Sequence, residues 1–171
     1  MNPRFVILGM MLASATLTAV PAAIDVPPKF IWNASASVPI GLYRVLPEDR
    51  LGVADLVAVT PPEPIATFLA ARNYLPRGVP LLKHVLGLPG QTVCRIRLDI
   101  LIDGIVMATA RKRDRHARPL PDWQGCRMIA ENEVFLMNWQ STDSVDGRYF
   151  GPLPAASIIG RAVPLYTFEA P

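Results

Sequence analysis

The sequence predicts a mainly β domain, a compact barrel or sandwich with one short inserted helix, behind a single N-terminal helix. Three observations predict it. Eighteen prolines are spread through 171 residues, about twice the average share of proline in proteins. Each internal proline removes a helix donor and clashes with the preceding turn. Past residue 24, apolar residues come in short runs closed by Pro, Gly or Asp, which is the pattern of strands and tight turns. Residues 5–24, by contrast, carry no charge at all. Hydrophobic residues make up 51% and charged residues 18%, so the chain has enough apolar material for a core and disorder is excluded as a whole-chain answer.

The uncharged run 5–24 lies between Arg4 and Asp25. Twenty residues at 1.5 Å rise would reach about 30 Å, the thickness of bilayer hydrocarbon. One reading is a retained membrane anchor with its N-terminus in the cytoplasm, which Arg4 favours. The other is a cleavable signal peptide, because Val20-Pro21-Ala22 offers small residues. The anchor reading divides the chain into 1–25, the membrane anchor, and 26–171, the exported domain. Either reading puts the domain where disulfides persist.

Within that domain the runs 42–46, 53–59, 81–86, 93–98, 100–102, 105–108, 134–139 and 158–166 read as strands. Asp103-Gly104 separates two of them and marks a hairpin, since glycine accepts positive φ without steric cost. The single helix of the domain is predicted over 63–74. Thr60 is placed to cap it, Pro61 or Pro62 to open it and Pro76 to stop it, and Ile65, Phe68 and Leu69 share a face.

The formal net charge is +3, too small an excess to imply nucleic acid. Cys94 and Cys126 are far apart in sequence, and with His84 and His116 they show no metal-ligand spacing. No metal or cofactor is expected. The run 111–118 (RKRDRHAR) reads either as a solvated loop or as a contact for anionic headgroups.

Three stretches carry chemistry. In the first, Asn33 to Tyr43, Ser37 precedes Val38-Pro39, and the proline biases Val38 to extended geometry. In the second, Leu81 to Gly90, Lys83 stands in an apolar strand. Burial disfavours its charged form and leaves an amine that can act as a base; the alternative is a lysine that snorkels to the surface. The third, Ser141 to Pro152, is dense in Ser, Asp and Arg, and suits either a polar loop or a hydrogen-bonded scaffold behind a site.

Taken in order, these stretches resemble the type I signal peptidases, which use a Ser-Lys dyad, and more closely their conjugative-transfer, TraF-type branch. That branch's hallmarks are Ser-x-Pro-x-Gly-Leu-Tyr, here from Ser37 to Tyr43, and Leu-Leu-Lys-x-Val-x-Gly-Leu-Pro-Gly, here from Leu81 to Gly90. The third is Asp-x-Arg-Tyr-Phe-Gly-Pro, here from Asp146 to Pro152. The resemblance implies a largely β catalytic domain and assigns roles position by position. Ser37 is the nucleophile and Lys83 the general base. Ser35 is the oxyanion hydroxyl, Ser144 bonds the lysine amine, and Asp146 with Arg148 orders the site. Two positions depart from the pattern: Gln91 stands where an acidic residue often follows Leu-Pro-Gly, and Gly147 replaces a common serine. The resemblance further implies an inner-membrane protein with a periplasmic catalytic domain. Its substrate would be an exported precursor, a conjugative pilin whose ends can be joined, and its partners the bilayer and mating-pore components.

Two other functions fit the same residues: a housekeeping signal peptidase, and a non-catalytic periplasmic β-domain of a secretion or pilus assembly. The cysteines read as a disulfide, because the compartment is oxidising and they are the only two; the alternative is a pair of buried free thiols.

Overall fold

The computed structural model describes residues 3–23, 27–47 and 50–168, without the side chains of 18–23. The chain opens with helix α1, Pro3–Ala23. Two of its hydroxyls bond its own backbone: Ser14 Oγ donates to Met11 O at 3.0 Å and Thr16 Oγ1 to Leu12 O at 3.0 Å. Phe5, Ile7, Leu8, Met10, Met11, Leu12 and Leu17 all lie exposed. Among the described residues no helix is long and apolar enough to cross a membrane. The expected end of the anchor, at residues 24 and 25, lies outside the described residues.

Eleven strands follow among the described residues. They are β1 Phe30–Asn33, β2 Ile40–Leu46, β3 Leu56–Val59, β4 Leu81–Gly87, β5 Thr92–Ile96, β6 Asp99–Ile102, β7 Ile105–Thr109, β8 Gly125–Met128, β9 Glu133–Leu136, β10 Leu153–Pro154 and β11 Ile158–Phe168. Helix α2, Glu63–Ala71, connects β3 to β4, and one turn of helix, α3 Gly147–Phe150, precedes β10. The strands form an open seven-stranded sheet, β1-β2-β11-β3-β4-β9-β10, and a four-stranded sheet, β7-β6-β5-β8. Every pairing between them is antiparallel. The mainly β expectation therefore holds, as two open sheets.

The core is split by the alternation of strand side chains. Along β3, Val57 and Val59 join a cluster with Val85, Val134 and Leu136, while Ala58 joins another with Ile31, Val38, Tyr43, Leu82 and Ala162. A third cluster joins the two sheets: Leu86 and Phe135 from the large one meet Val93, Ile100 and Ile102 from the small one. The Asp103-Gly104 turn has the predicted geometry, with φ of 49° and 82°. The Asp103 carboxylate also accepts from Thr92 N at 2.7 Å and Gln91 Nε2 at 2.7 Å.

Several expectations are corrected. Thr60 does not cap α2. Its N–H donates to Ser157 O, and the N-cap is Pro62, without any side-chain cap bond; the fixed φ of proline starts the helix instead. The helix stops at Ala71 rather than 74, because Asn73 takes a positive φ of 55°. The 53–59 strand begins only at Leu56, after Ala54 turns with φ 75°. The 134–139 strand ends at Leu136, where the chain leaves to supply Asn138 to the site. The 111–118 run, by contrast, is the expected exposed loop between strands, β7 and β8, and it lies against the turn that follows α2. Asp114 accepts from His116 N and Arg118 N at 2.8 and 2.9 Å and from the Tyr74 hydroxyl, and Arg72 Nη1 donates to Pro119 O at 2.6 Å.

Cys94 on β5 and Cys126 on β8 are directly paired residues and form a disulfide across 32 residues of sequence. A closed loop of that length removes about 3 to 4 kcal/mol of freedom from the unfolded chain. Reduction should therefore lower the unfolding free energy by roughly that amount, less any strain, in a urea titration with and without reductant. Coincident titrations would show that the bridge contributes nothing.

Candidate active site

The first site segment is the connection between β1 and β2, and a buried amide holds it. Asn33, the last residue of β1, donates from Nδ2 to the carbonyls of Ser35 (2.8 Å), Val38 (3.1 Å) and Pro39 (3.0 Å). Its Oδ1 accepts from Ser35 N at 3.1 Å and Ser35 Oγ at 3.0 Å. Tyr43 OH donates to Pro39 O at 2.6 Å from the other side. Gly41 is required next: it has φ +148°, and a Cβ there would lie 2.1 Å from Tyr166 O. The two serines of the segment face each other, Ser35 Oγ to Ser37 Oγ at 3.1 Å.

The second segment is the middle of β4. Lys83 pairs with Val57 across the sheet and is 5% exposed. The amine donates to Ser144 Oγ at 2.6 Å. Burial pulls its pKa down from 10.5 to about 8; the Asp146 carboxylate pulls it up and the Arg148 guanidinium pushes it down. Val38 and Leu82, the chain neighbours of Ser37 and Lys83, share one buried cluster, which brings the two segments together. The hydrogen bonds of Ser37 and Lys83 themselves run to Ser35 and to Ser144.

The third segment supports the amine. Asp146 and Arg148 are both buried, with Arg148 Nε on Asp146 Oδ1 and Nη2 on Oδ2, each at 2.9 Å. Asp146 also caps α3, accepting from Arg148 N at 3.2 Å. The same Nη2 reaches the carbonyls of Ser141 at 2.7 Å and Ser144 at 3.1 Å, which fixes the backbone that presents the Ser144 hydroxyl. At the departure Gly147, a Cβ would come within 2.7 Å of both Leu136 O and the Phe135 ring, so a serine does not fit this backbone. Gln91, the other departure, accepts from Leu88 N at 2.9 Å and donates to Asp103, closing the loop after β4 with an amide at that position.

Three supporting residues escape a reading of the sequence. Asn33 is one. Asn138 is the second: its Nδ2 donates to Leu82 O at 3.0 Å, and its Oδ1 accepts from His84 N at 3.1 Å. It thus grips β4 on both sides of Lys83. Its own N–H donates to Asp146 Oδ2 at 3.1 Å, which links the strand to the acid–base pair. Arg95 is the third, 2% exposed, donating to Arg148 O at 2.8 Å and pairing with Asp122 at 3.3 Å. The only signal for the two asparagines is position, one at the end of each apolar run that flanks a motif. His84, half-buried beside Trp139 with ring centroids 4.8 Å apart, has its pKa lowered, chiefly by burial.

Known proteins resemble this chain over most of its length. A family described as "Signal peptidase, peptidase S26" matches residues 3–167. The conjugal transfer protein TraF of Agrobacterium fabrum is 34% identical over 95% of this chain and 93% of that protein. A namesake from Agrobacterium tumefaciens is 33% identical over 99% of each. The plasmid transfer protein TraF of Escherichia coli is 28% identical over 84% of this chain and 79% of that protein. A signal peptidase I from Enterococcus faecalis superposes with a TM-score of 0.42 at 20% identity, over 66% of this chain and 97% of that one.

Removing the Asn138 amide leaves Leu82 O and His84 N without their partner in a buried strand. Each orphaned group costs about 1 to 3 kcal/mol. Asn138→Ala should therefore lower stability by about 2 kcal/mol or more in chemical denaturation. A change below about 0.5 kcal/mol would show that the clamp on β4 is dispensable.

Proposed function

Because this chain belongs to the signal peptidase family, peptidase S26, we propose that it is a serine endopeptidase with Ser37 as nucleophile and Lys83 as general base. One observation carries this reading: a buried lysine amine, its pKa lowered to about 8, bonded to a hydroxyl rather than to a carboxylate. An amine with that pKa is neutral in a large fraction of molecules near pH 8, and only the neutral form can take a proton.

The chemistry follows from the groups present. Ser37 Oγ bonds to the carbonyl carbon of the scissile peptide and its proton passes to Lys83 Nζ. The oxyanion is met by the Ser37 N–H and the Ser35 hydroxyl. The tetrahedral centre collapses, and the leaving amine takes the proton from Lys83. Water, or another amine, then bonds to the acyl carbon and gives a proton to Lys83 Nζ, which passes it to Ser37 Oγ as the bond between acyl carbon and Oγ breaks. Ser144 orients the amine while Asp146 and Arg148 neutralise each other behind it.

The substrate in this proposal is an exported precursor of the conjugation apparatus, a pilin whose new end can be attacked by its own N-terminus to give a ring. Relatives named as conjugal or plasmid transfer proteins support it over a housekeeping role. Location in the inner membrane with the β domain in the periplasm is part of the same proposal, with the bilayer and mating-pore proteins as neighbours. The exposed apolar side chains of α1 and the disulfide support it.

Ser37→Ala and Lys83→Ala should each abolish processing of the co-expressed pilin precursor while the chain stays folded. Their effects should not add, since neither group works alone. Lys83→Arg should be as damaging, because a guanidinium keeps its proton. Processing by any of these at near the wild-type rate would overturn the assignment. For the wild type, the rate should rise as pH increases through about 8, as Lys83 loses its proton; a profile flat from pH 6 to 10 would count against Lys83 as the base.

A further inference from the structure

Asn33 makes five hydrogen bonds to the segment that carries Ser37, and together they fix where two hydroxyl protons lie. Nδ2 faces three backbone carbonyls, those of Ser35, Val38 and Pro39. Carbonyls only accept, so the amide nitrogen belongs on that side; the flipped amide would set an oxygen against three oxygens. Oδ1 therefore faces Ser35, and accepts from its N–H at 3.1 Å and its hydroxyl at 3.0 Å. A serine hydroxyl has one proton. Given to Asn33, it leaves Ser35 Oγ only lone pairs to offer Ser37 Oγ, 3.1 Å away. The Ser37 proton then points to Ser35, while the Lys83 amine is bonded to Ser144.

We infer that Asn33 is a positioning residue for the cleavage step: it holds the Ser35 hydroxyl in the one rotamer that stands beside Ser37, and it acts through that hydroxyl. The inference rests on the Ser37–Lys83 reading above. Ser35 is exposed, and an exposed serine otherwise samples its staggered rotamers freely. Bonded to Asn33 in the free enzyme, its oxygen is held beside Ser37 until the substrate arrives. When a substrate carbonyl arrives, the Ser35 O–H turns from Asn33 Oδ1 to the substrate oxygen, and the Ser37 proton turns to the neutral amine of Lys83. One proton then moves from Ser37 Oγ to Lys83 Nζ as the C–O bond forms. The Ser35 N–H stays on Asn33 throughout, so the backbone need not shift. An oxygen placed beforehand needs only a rotation of its O–H to meet the developing oxyanion, so its loss appears in kcat rather than KM.

The test is a double-mutant cycle on the full chain in detergent. The substrate is an internally quenched peptide with a small-residue Ala-x-Ala cleavage site. Loss of one oxyanion donor costs about 100-fold in kcat, which sets the expectation for Ser35→Ala. Asn33→Ala should lower kcat by about 10- to 100-fold with KM within about threefold of wild type. The double variant should fall no more than about threefold below Ser35→Ala, because both changes remove one function. Tyr43→Phe is the control. It removes the bond to Pro39 O in the same segment but does not reach Ser35, so its effect should multiply with that of Ser35→Ala. If Asn33→Ala also multiplies, or leaves kcat unchanged, the inference is wrong and Asn33 only supports the loop. Should Asn33→Ala fail to fold by circular dichroism, Asn33→Gln replaces it, keeping an uncharged amide but displacing its acceptor from Ser35. Ser35→Ala must then cost no more than about threefold in that background, and a cost near 100-fold overturns the inference. Cleavage by Ser37→Ala, or none by wild type, would overturn instead the reading of the site on which the inference rests.

Discussion

The amine of Lys83 is kept out of water by the strands around it, and what it meets there is the hydroxyl of Ser144. An ammonium in that position gives up its hydration for a single hydroxyl contact, which is why burial lowers its pKa to about 8. A carboxylate nearby would normally reverse this. Asp146 is nearby, but its two oxygens are taken by Arg148 Nε, Arg148 Nη2, Arg148 N and Asn138 N. Its charge is spent on the guanidinium, and the guanidinium in turn opposes a second positive charge on Lys83. The pair can thus order the loop that carries Ser144 without holding the lysine in its charged form.

The same constraint explains why the supports on both sides are amides. Asn33 must satisfy three carbonyls, an N–H and a hydroxyl in a buried place, and Asn138 a carbonyl and an N–H. An amide offers donors and acceptors together and brings no charge. An aspartate at 138 would add a carboxylate beside the strand of Lys83, and an opposite charge within a few ångströms raises the pKa of an amine. Neutral clamps thus serve the electrostatics as well as the geometry.

Much of this was legible in the sequence, for identifiable reasons. The Asp103-Gly104 hairpin is set by two adjacent residues whose backbone preferences are local. The strands around Lys83 and on either side of Asp103-Gly104 announce themselves as apolar runs that end in turn residues. Strands β1 and β8 are harder to read. The apolar run of β1 is only three residues long, Phe30 to Trp32, and β8, Gly-Cys-Arg-Met, has no apolar run and is exposed at all four positions. Thr60 resembles a cap, but the register of Ser157 claims its N–H. Asn33, Asn138 and Arg95 were illegible for a different reason: most of their partners are backbone groups, and backbone groups leave no mark on a sequence. Arg95 in particular reaches Arg148 O across 53 residues, a contact that only the packed sheets create.

The most direct measurement is the titration of Lys83 itself. The chain has only three lysines, Lys29, Lys83 and Lys112, so selective isotope labelling of lysine side chains gives a short NMR spectrum, and the resonance absent from Lys83→Met is that of Lys83. Followed from pH 6 to 11 in the intact, folded protein, its midpoint should fall at about 8. A midpoint at or above 10, the value of a solvated lysine, would mean that the amine is charged at working pH and would contradict the account at its centre.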